Sequence, residues 1–219
     1  SALMSHFGAE AVTNIISIEL ADNFESYWAE SDVKIARMSI YLRFLNCLRN
    51  KASDLHCEVN DLASTLLAVA VNGNRFIIIH LGDGVVGYME KGELKVASIP
   101  NNGEFCNTTV FTTSGNAVNQ IKMIKAVSDD IQAFFLMSDG SEACLYNRQT
   151  NSLATGLAQM FFDAANSNMD EVIANIHETM TETIVKCTHD DCSLAIMVKC
   201  TIDRNRQDTD LPPVVEEAQ

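Results

Sequence analysis

The feature that most constrains the fold of this chain is a pair of consecutive β-hairpins built from almost uninterrupted apolar runs. Residues 64–81 read STLLAVAV, an Asn-Gly turn at 72–73, and then RFIIIHL. Residues 85–99 read VVGYME, a Lys-Gly turn at 91–92, and then ELKVASI. Asn-Gly between apolar runs is a strong hairpin signal. Because the strands are nearly continuous in apolar residues, both strand faces need cover, which predicts a layered interior.

Amphipathic helical patterns flank these strands. The first two cover about residues 1–28 and 32–51, where apolar residues recur at helical spacing. Two more, with stripes at 154–165 and 172–184, lie between the buried strand AFFLM and a last strand, SLAIMVKC. An amphipathic portion around 121–124 predicts a helical insertion before AFFLM. Segregated blocks of helices and strands indicate an α+β fold.

The chain is acidic overall. Fifteen Lys and Arg residues against 29 Asp and Glu residues give a net charge of −14. This charge repels nucleic-acid backbones and anionic membranes, and the basic residues are scattered rather than clustered. No apolar run approaches the roughly 18 residues needed to span a bilayer, and the first residues lack a signal-peptide pattern. We therefore predict no nucleic-acid partner and no membrane partner.

Three acidic motifs stand where apolar strands end. They are Leu81-Gly82-Asp83-Gly84, Ser138-Asp139-Gly140 and Asp190-Asp191-Cys192-Ser193. A carboxylate just beyond a buried strand is held by rigid backbone, which is the geometry that Mg²⁺ and Mn²⁺ require. A glycine beside the aspartate permits close approach of backbone or ligand. Each motif alone is also a common turn, so only the ordered set points to a metal site.

The cysteines and histidines suggest structural roles. The seven cysteines are odd in number, widely spaced and without a C-x-x-C pair. This pattern favours reduced, buried thiols in a cytoplasmic protein over a disulfide framework or a zinc site. Cys144 and Cys192 lie near the acidic motifs, but no partner histidine marks either as a nucleophile, so we predict small buried apolar side chains. His80, inside an apolar strand, is predicted to be a core histidine with satisfied hydrogen bonds.

In this order the motifs resemble those of the protein phosphatase 2C type, and especially of its divergent bacterial branch. The family pattern has a strand ending in Ser-Thr-Leu, a hairpin with Gly-Asp, a strand ending in Ser-Asp-Gly, and a final strand opening with Asp-[Asn/Asp]-x-[Ser/Thr]. The corresponding segments here are residues 63–66, 80–84, 137–140 and 190–193. GEFCNTTVFTTS at 103–114 is similar to the segment that the bacterial branch carries before its variable flap.

The resemblance implies an α+β fold with an antiparallel β-sandwich flanked by pairs of amphipathic helices. It also implies a metal-dependent serine/threonine protein phosphatase, in which two Mn²⁺ or Mg²⁺ ions activate a water that attacks the phosphorus. By position, Asp139 and Asp190 would bind metal and catalysis would depend on both. The chemistry agrees, because a metal pair lowers the pKa of water and neutralises charge on phosphoryl oxygens. The implied partners are a phosphorylated protein substrate and a cognate serine/threonine kinase.

Four further positions are expected to support this site. Asp83 lies in the Gly-Asp motif, where Gly84 and Val85 replace the commoner Ser-Arg; an indirect role through bound water and a plain hairpin turn both remain open. Gly84 and Gly140 are the glycines beside the aspartates. Asp191 comes directly after the implied ligand, and we interpret it as a hydrogen-bonding residue at the entry of the last strand.

The chain departs from the family pattern at its N-terminal side. The family's earlier acidic motifs, an Asp on the first strands and a D-G-x-G, have no counterpart, and residues 1–10 resemble the family segment directly after that D-G-x-G. The expectation is an N-terminally truncated phosphatase 2C-like domain at residues 1–200 and an acidic, disordered tail at 201–219. Without the upstream carboxylate that bridges the metals, we expect the chain alone to be inactive and its longer parent to be active.

Two other functions remain open on sequence alone. A pseudophosphatase would keep the fold and bind phosphorylated or unphosphorylated partners without turnover. The acidic loops would instead be ordinary turns in an unrelated α+β domain, an interpretation that the ordered motif set disfavours.

Overall fold

Two antiparallel β-sheets pack face to face, and pairs of helices cover their outer faces. The structure is a computed structural model that describes residues 4–100 and 109–199. The predicted α+β sandwich between helix pairs is therefore confirmed. The predicted tail at 201–219 lies outside the described residues, as does the first half of the 103–114 segment.

Six α-helices lie in the described ranges, and the first two and the last two, which are the longest, form the outer layers. The helices are α1 (Ser5–Ala29), α2 (Val33–Leu55), α3 (Ala117–Gln120), α4 (Asp139–Leu145), α5 (Gly156–Asn166) and α6 (Met169–Thr179). Shorter helical turns are 3-10 at Val59–Leu62 and Val185–Cys187 and π-helical at Met180–Ile184. The first two helices and the pair α5–α6 match the predicted ones. No helix of the described ranges is both long enough and apolar enough to cross a membrane.

Nine strands are formed in the described part of the chain. They are β1 (Leu66–Asn72), β2 (Arg75–Leu81), β3 (Val85–Glu90), β4 (Glu93–Ser98), β5 (Lys122–Val127), β6 (Ile131–Met137), β7 (Tyr146–Asn147), β8 (Ser152–Leu153) and β9 (Leu194–Val198). One sheet has the strand order β1-β2-β5, and the other has the order β4-β3-β6-β9. Strands β7 and β8 form a small separate hairpin.

Both predicted hairpins are present, one in each sheet. Asn72 pairs with Arg75 across the first turn, and Gly73 takes a φ of 62° at its first central position. Glu90 pairs with Glu93 across the second, where Lys91 and Gly92 both have positive φ. Such left-handed conformations match the right-handed twist of the strands, which is why these short turns close hairpins.

The helices α1 and α2 cover the outer face of the first sheet. Apolar residues four apart on each helix form its buried stripe: Val12, Ile16, Leu20 and Phe24 on α1, and Ala36, Ile40, Phe44 and Leu48 on α2. These stripes pack against Ile77, Ile79 and Leu81 of β2. The helix α2 begins where the Asp32 side chain accepts a hydrogen bond from the Lys34 amide at 2.8 Å, a typical N-cap.

A separate apolar layer lies between the two sheets. It is centred on Ile78, Val86 and Phe134, which are at most 3% exposed. Because side chains alternate along a strand, Ile78 faces this layer while Ile77 and Ile79 face the helices. On the outer side of the second sheet, residues of β6 pack with Leu157 of α5. The prediction that the central strands are covered on both faces is confirmed.

The predicted helical insertion at 121–124 is wrong. Residues Lys122–Val127 form β5, which pairs with β2 and completes the first sheet, and only the preceding turn Ala117–Gln120 is helical. Met123 packs in the layer under the helices, whereas Ile124 packs between the sheets. A strand with apolar residues on both faces has no clear alternation, so its short apolar run was open to a helical interpretation.

The prediction of buried thiols is also wrong for the described cysteines. Cys187 is exposed, and Cys47, Cys57, Cys144 and Cys192 are half-buried. All five carry free thiols. Cys106 and Cys200 lie outside the described residues.

His80 joins the two sheets by a buried hydrogen bond. Its side chain is 1% exposed, its Nδ1 lies 2.7 Å from Ser98 Oγ, and its Nε2 lies 3.2 Å from the Gly82 carbonyl oxygen. A carbonyl only accepts, so Nε2 carries the proton and Nδ1 accepts from the Ser98 hydroxyl. The predicted core histidine is confirmed. Burial, reinforced by the charge of Lys122, lowers the pKa of His80 to about 4.

This lowered pKa predicts that acid destabilises the fold through His80. In the unfolded chain His80 is protonated below about pH 6.5, whereas in the folded chain it stays neutral down to about pH 4. The free energy of unfolding therefore falls as the pH drops through this window. The loss between pH 7 and pH 5 attributable to His80 is about 2 kcal/mol. Urea unfolding at both pH values should show that His80→Gln, which keeps a donor and an acceptor, reduces the pH dependence by this amount.

The exposed His177 supplies the matched control. His177→Gln should leave the pH dependence as it is in the wild type. A His80→Gln protein with the wild-type pH dependence would contradict the prediction. In the wild-type protein, NMR of the His80 ring should show the neutral form at pH 5, a readout that needs no variant.

Candidate metal centre

The two predicted ligands lie at the ends of neighbouring strands. Met137, the last residue of β6, pairs with Leu194, the first residue of β9. Because these strands are antiparallel, the segment that leaves β6 and the segment that enters β9 meet at the same edge of the sheet. Asp139 lies on the first segment and Asp190 on the second, 51 positions apart in the sequence. The fold thus brings their segments together.

Hydrogen bonds fasten these two segments to each other. The Ser138 amide donates to the Ser193 carbonyl at 3.1 Å, and the Ser193 amide donates to Ser138 Oγ at 2.9 Å. Ser138 Oγ donates in turn to the Asp191 carbonyl at 3.2 Å, and Ser141 Oγ donates to the Ser193 carbonyl at 2.8 Å. Four bonds over so few residues fix the main chain that carries both aspartates.

Gly140 is the point of closest approach between the segments. A Cβ atom at this position would lie 2.5 Å from the Asp191 carbonyl oxygen and 3.2 Å from that of Asp190. Backbone atoms cannot give way as the end of a flexible side chain does. Only glycine therefore allows Asp139 to sit against the segment of Asp190 in this arrangement.

The connection between β2 and β3 adds a third aspartate to this edge. Gly84 has a φ of 92°, and a Cβ there would lie 2.4 Å from the Met137 carbonyl oxygen. The main chain of this connection therefore lies directly against the end of β6. Asp83, directly before it, is half-buried and accepts a hydrogen bond from Thr109 Oγ1 at 2.7 Å. This position agrees with a supporting role for Asp83, while its predicted link through water stays a prediction.

The carboxylates at this edge repel one another. Burial, then the charge of Asp83 and to a lesser degree that of Asp190, raise the pKa of Asp139, while the hydrogen bond from the Gly140 amide opposes them. Asp190 and Asp191 are exposed. The Asp191 main chain forms the bonds, since its amide donates to Asp190 Oδ1 at 2.9 Å and its carbonyl accepts from Ser138. These main-chain bonds are compatible with the interpretation of Asp191 as a hydrogen-bonding residue at the strand entry, and its supporting role at the site stays a prediction.

These residues fit a hard divalent cation as partial ligands. Carboxylate oxygens are the ligands that Mg²⁺ and Mn²⁺ prefer, and a bound cation would relieve the repulsion that raises the pKa of Asp139. Within residues 4–100 and 109–199, no three His, Cys, Asp or Glu side chains are grouped closely enough to hold a metal. Mg²⁺ commonly uses one or two carboxylates together with waters and substrate phosphate. Asp139 and Asp190 as ligands therefore stay a prediction.

A cleft of about 860 Å³ opens beside Asp139. It is lined by α4, the hairpin β7-β8 and the residues after it. Arg148 lies in this lining with 66% of its side chain exposed, and its Nε donates to Glu142 Oε1 at 2.6 Å. Glu142 is 1% exposed, and its Oε2 has no hydrogen-bond partner among the described residues. Sequence reasoning missed this pair, because no spacing separates Glu142 and Arg148 from ordinary surface charges.

The sandwich between helix pairs, with its acidic loops at one edge, is the architecture of a protein phosphatase fold. The sequence model described as Protein phosphatase 2C matches residues 1–186. The chain therefore belongs to the protein phosphatase 2C family. A comparison with curated protein sequences finds no significant match.

Several solved structures share the fold at low sequence identity. The catalytic domain of serine threonine protein phosphatase PstP in complex with two manganese ions has a TM-score of 0.55 and 13% identity, over 87% of this chain and 79% of that chain. The Mycobacterium tuberculosis serine/threonine phosphatase PstP/Ppp has a TM-score of 0.53 and 13% identity, over 89% and 83%. A sex-determining protein of C. elegans has a TM-score of 0.52 and 14% identity, over 82% and 50%.

Removing the charge of Asp139 should show two effects of this carboxylate separately: its destabilisation of the metal-free protein and its contribution to Mn²⁺ binding. At neutral pH the ionised carboxylate is opposed by burial and by Asp83, so Asp139→Asn should stabilise the metal-free protein, by about 2–4 °C for each 1 kcal/mol relieved. The same change should remove most of the rise in melting temperature that Mn²⁺ gives the wild type. Thermal unfolding with EDTA and with Mn²⁺ measures both.

The control is Asp22→Asn, at an exposed position of α1. It should change neither the EDTA melting temperature nor the Mn²⁺ response by a significant amount. A full Mn²⁺ response in Asp139→Asn would remove Asp139 from the site.

Adding one methyl group at Gly140 should disrupt the site. Gly140→Ala places a Cβ against the Asp191 carbonyl, so the two segments must move apart, at a cost of about 1–3 kcal/mol. The stabilisation by Mn²⁺ should fall with it. Gly156→Ala, where a Cβ meets nothing within 4 Å, is the matched control and should keep the Mn²⁺ response. Calorimetric titration with Mn²⁺ distinguishes the two; equal affinities in both variants would show that the close approach does not matter for binding.

Proposed function

We propose that this protein is a metal-dependent serine/threonine protein phosphatase that hydrolyses phosphomonoesters with a metal-activated water, and that Asp139 and Asp190 are ligands of the metal. The observation that carries the proposal is the fixed juxtaposition of their two segments, with Gly140 against the Asp190-Asp191 main chain. Membership of the protein phosphatase 2C family supports it. The named relative with two manganese ions supports Mn²⁺ or Mg²⁺ as the cofactor.

The roles of this chain's own residues derive from their positions. Asp139, half-buried and beside Asp83, would bind a cation with its carboxylate, and Asp190 would bind from the facing segment. Asp83 accepts the hydrogen bond of the Thr109 hydroxyl with Oδ2. Its other carboxylate oxygen, Oδ1, would hold a water of the site. When bound by these residues, two such cations would supply a water of lowered pKa and would neutralise charge on the phosphoryl oxygens. Ser138 and Ser141 would position the aspartate segments through their hydrogen bonds to the facing segment.

The cleft beside Asp139 is the proposed substrate site. In a protein with a net charge of −14, a phosphorylated substrate needs a local cation to approach the acidic edge. Arg148 provides one, and the buried Glu142 holds it in position through a charge-assisted hydrogen bond. The proposed substrate is accordingly a phosphoserine or phosphothreonine segment of a protein, and a cognate serine/threonine kinase would supply it. The free thiols of the described cysteines support a reducing, cytoplasmic location.

A pseudophosphatase is the second candidate. It is favoured by one observation: in the described part of the chain, no three candidate ligands are grouped closely enough to hold a metal. Such a protein would bind a phosphorylated partner through the Arg148 cleft without hydrolysing it.

Hydrolysis of a phosphothreonine peptide with Mn²⁺ tests the proposal in the full-length protein. Asp139→Ala and Asp190→Ala should each reduce kcat/KM at least 100-fold, because each removes a metal ligand. Arg148→Ala should raise KM more than it lowers kcat, while Asp22→Ala, on the far helix, should match the wild type. Activity that survives both aspartate changes would refute the ligand assignment. An inert protein that binds the peptide with Arg148-dependent affinity would establish the second candidate.

The same assay tests the expectation about the 219-residue chain by itself. We expect little or no Mn²⁺-dependent turnover from it, because no three His, Cys, Asp or Glu side chains are grouped closely enough to hold a metal in the described part of the chain. Efficient, metal-dependent hydrolysis by the 219-residue chain would refute that expectation.

A further inference from the structure

Two thiols lie in contact where α4 packs against the 3-10 turn Val185–Cys187. Cys144 Sγ, on α4, and Cys187 Sγ, at the end of the 3-10 turn Val185–Cys187, are 3.0 Å apart. They are 43 residues apart in sequence, so tertiary packing and not local geometry brings them together. A disulfide bond is about 2.05 Å long, so a shift of about 1 Å would allow the bond to form. The described cysteines Cys47 and Cys57 have no such thiol neighbour among the described residues.

The two thiols differ in accessibility. Cys187 is exposed, whereas Cys144 is half-buried. The hydrogen bond with Cys187, followed by burial, raises the pKa of Cys144 to about 11, so at neutral pH Cys144 stays a thiol. Reactivity toward oxidants depends on thiolate character and access to solvent. Cys187 is therefore placed to react first, and Cys144 to react second.

We propose that Cys144 and Cys187 form an oxidation site, at which a hydroperoxide produces a reversible disulfide that ties α4 to the segment entering Asp190. The Cys187 thiolate attacks the terminal peroxide oxygen, the O–O bond breaks, and a sulfenic acid forms while the leaving oxygen takes a proton. Cys144 then attacks the sulfenic sulfur, the S–S bond forms, and water leaves. With hydrogen peroxide, two thiols and one peroxide give one disulfide and two waters, a two-electron oxidation of sulfur.

The location of the pair connects it to the candidate metal centre. Cys144 lies five positions after Asp139 on the same helix, and Cys187 precedes Asp190 by three positions. A disulfide would therefore be a covalent link between the two aspartate segments, in addition to their Ser138–Ser193 hydrogen bonds. Closing the remaining gap must shift one segment against the other, so we expect the Mn²⁺ affinity of the oxidised protein to differ at least threefold from that of the reduced protein. This last expectation rests on the proposed function; the disulfide itself does not.

Peptide mapping after oxidation tests the chemistry directly. The reduced full chain is treated with equimolar hydrogen peroxide, free thiols are alkylated, and the digest is analysed by mass spectrometry. A Cys144–Cys187 linked peptide should be the main product, and dithiothreitol should reverse it. In Cys144→Ser, the sulfenic acid on Cys187 should persist and react with dimedone. A main product that lacks this link, or that joins Cys144 to the nearby Cys192, would overturn the proposal.

Matched variants isolate the pair. Cys57→Ser, remote from the pair, and Cys192→Ser should both keep the link, whereas Cys187→Ser should abolish it. Because the mapping in the wild-type protein needs no variant, a variant that fails to fold leaves the conclusion intact. Oxidation should also raise the melting temperature by several degrees, since the link closes a long loop.

Mn²⁺ titration of the oxidised and the reduced wild type completes the test. Equal Mn²⁺ affinities would overturn the connection to the metal centre while leaving the disulfide in place. A reduced protein that binds no Mn²⁺ would instead count against the proposed function, whatever the mapping shows.

Discussion

The need to cover both faces of each central strand determines the rest of this structure. Strand β2 carries isoleucines on both sides, and so it cannot lie at a surface that is open to water. One side meets the second sheet through Ile78, Val86 and Phe134, and the other side meets the stripes of α1 and α2. The outer face of the second sheet is covered by α5 and by the residues after α6. Four layers are the smallest arrangement that buries all of these faces.

This layering also positions the chemistry. Once β6 and β9 pair in the observed register, the residues at their ends have little conformational freedom. A hydrogen bond from the Ser138 amide to the Ser193 carbonyl joins the two segments beyond the strands. The positions of Asp139 and Asp190 are therefore fixed mainly by the main chain, and each carboxylate also accepts a hydrogen bond from the amide of the next residue. Burial and the charge of Asp83, with a smaller contribution from Asp190, raise the pKa of Asp139, and the packing of the sandwich sustains this cost.

The sequence predicted those parts of the protein in which one local signal dominates. Turn chemistry predicted both hairpins, helical spacing predicted four long helices, and the motif order predicted the family. Strand β5 was missed because its apolar residues pack in two different layers, one under the helices and one between the sheets. Its sequence therefore shows neither the two-residue period of a half-buried strand nor the period of a helix clearly. The salt bridge of Glu142 with Arg148 and the contact of Cys144 with Cys187 were missed for a different reason. Both depend on how α4 packs against distant segments, and no spacing in the sequence encodes that packing.

The close approach at Gly140 has a consequence for how such a protein can change over time. Its contacts are with carbonyl oxygens, which every residue type possesses. Substitutions at the facing positions leave those oxygens in place, so the geometry around Asp139 depends on one missing side chain and a few serine hydroxyls. A site that is built in this way tolerates wide drift in the surrounding sequence. A shared fold at 13% identity is the kind of divergence that such main-chain construction permits.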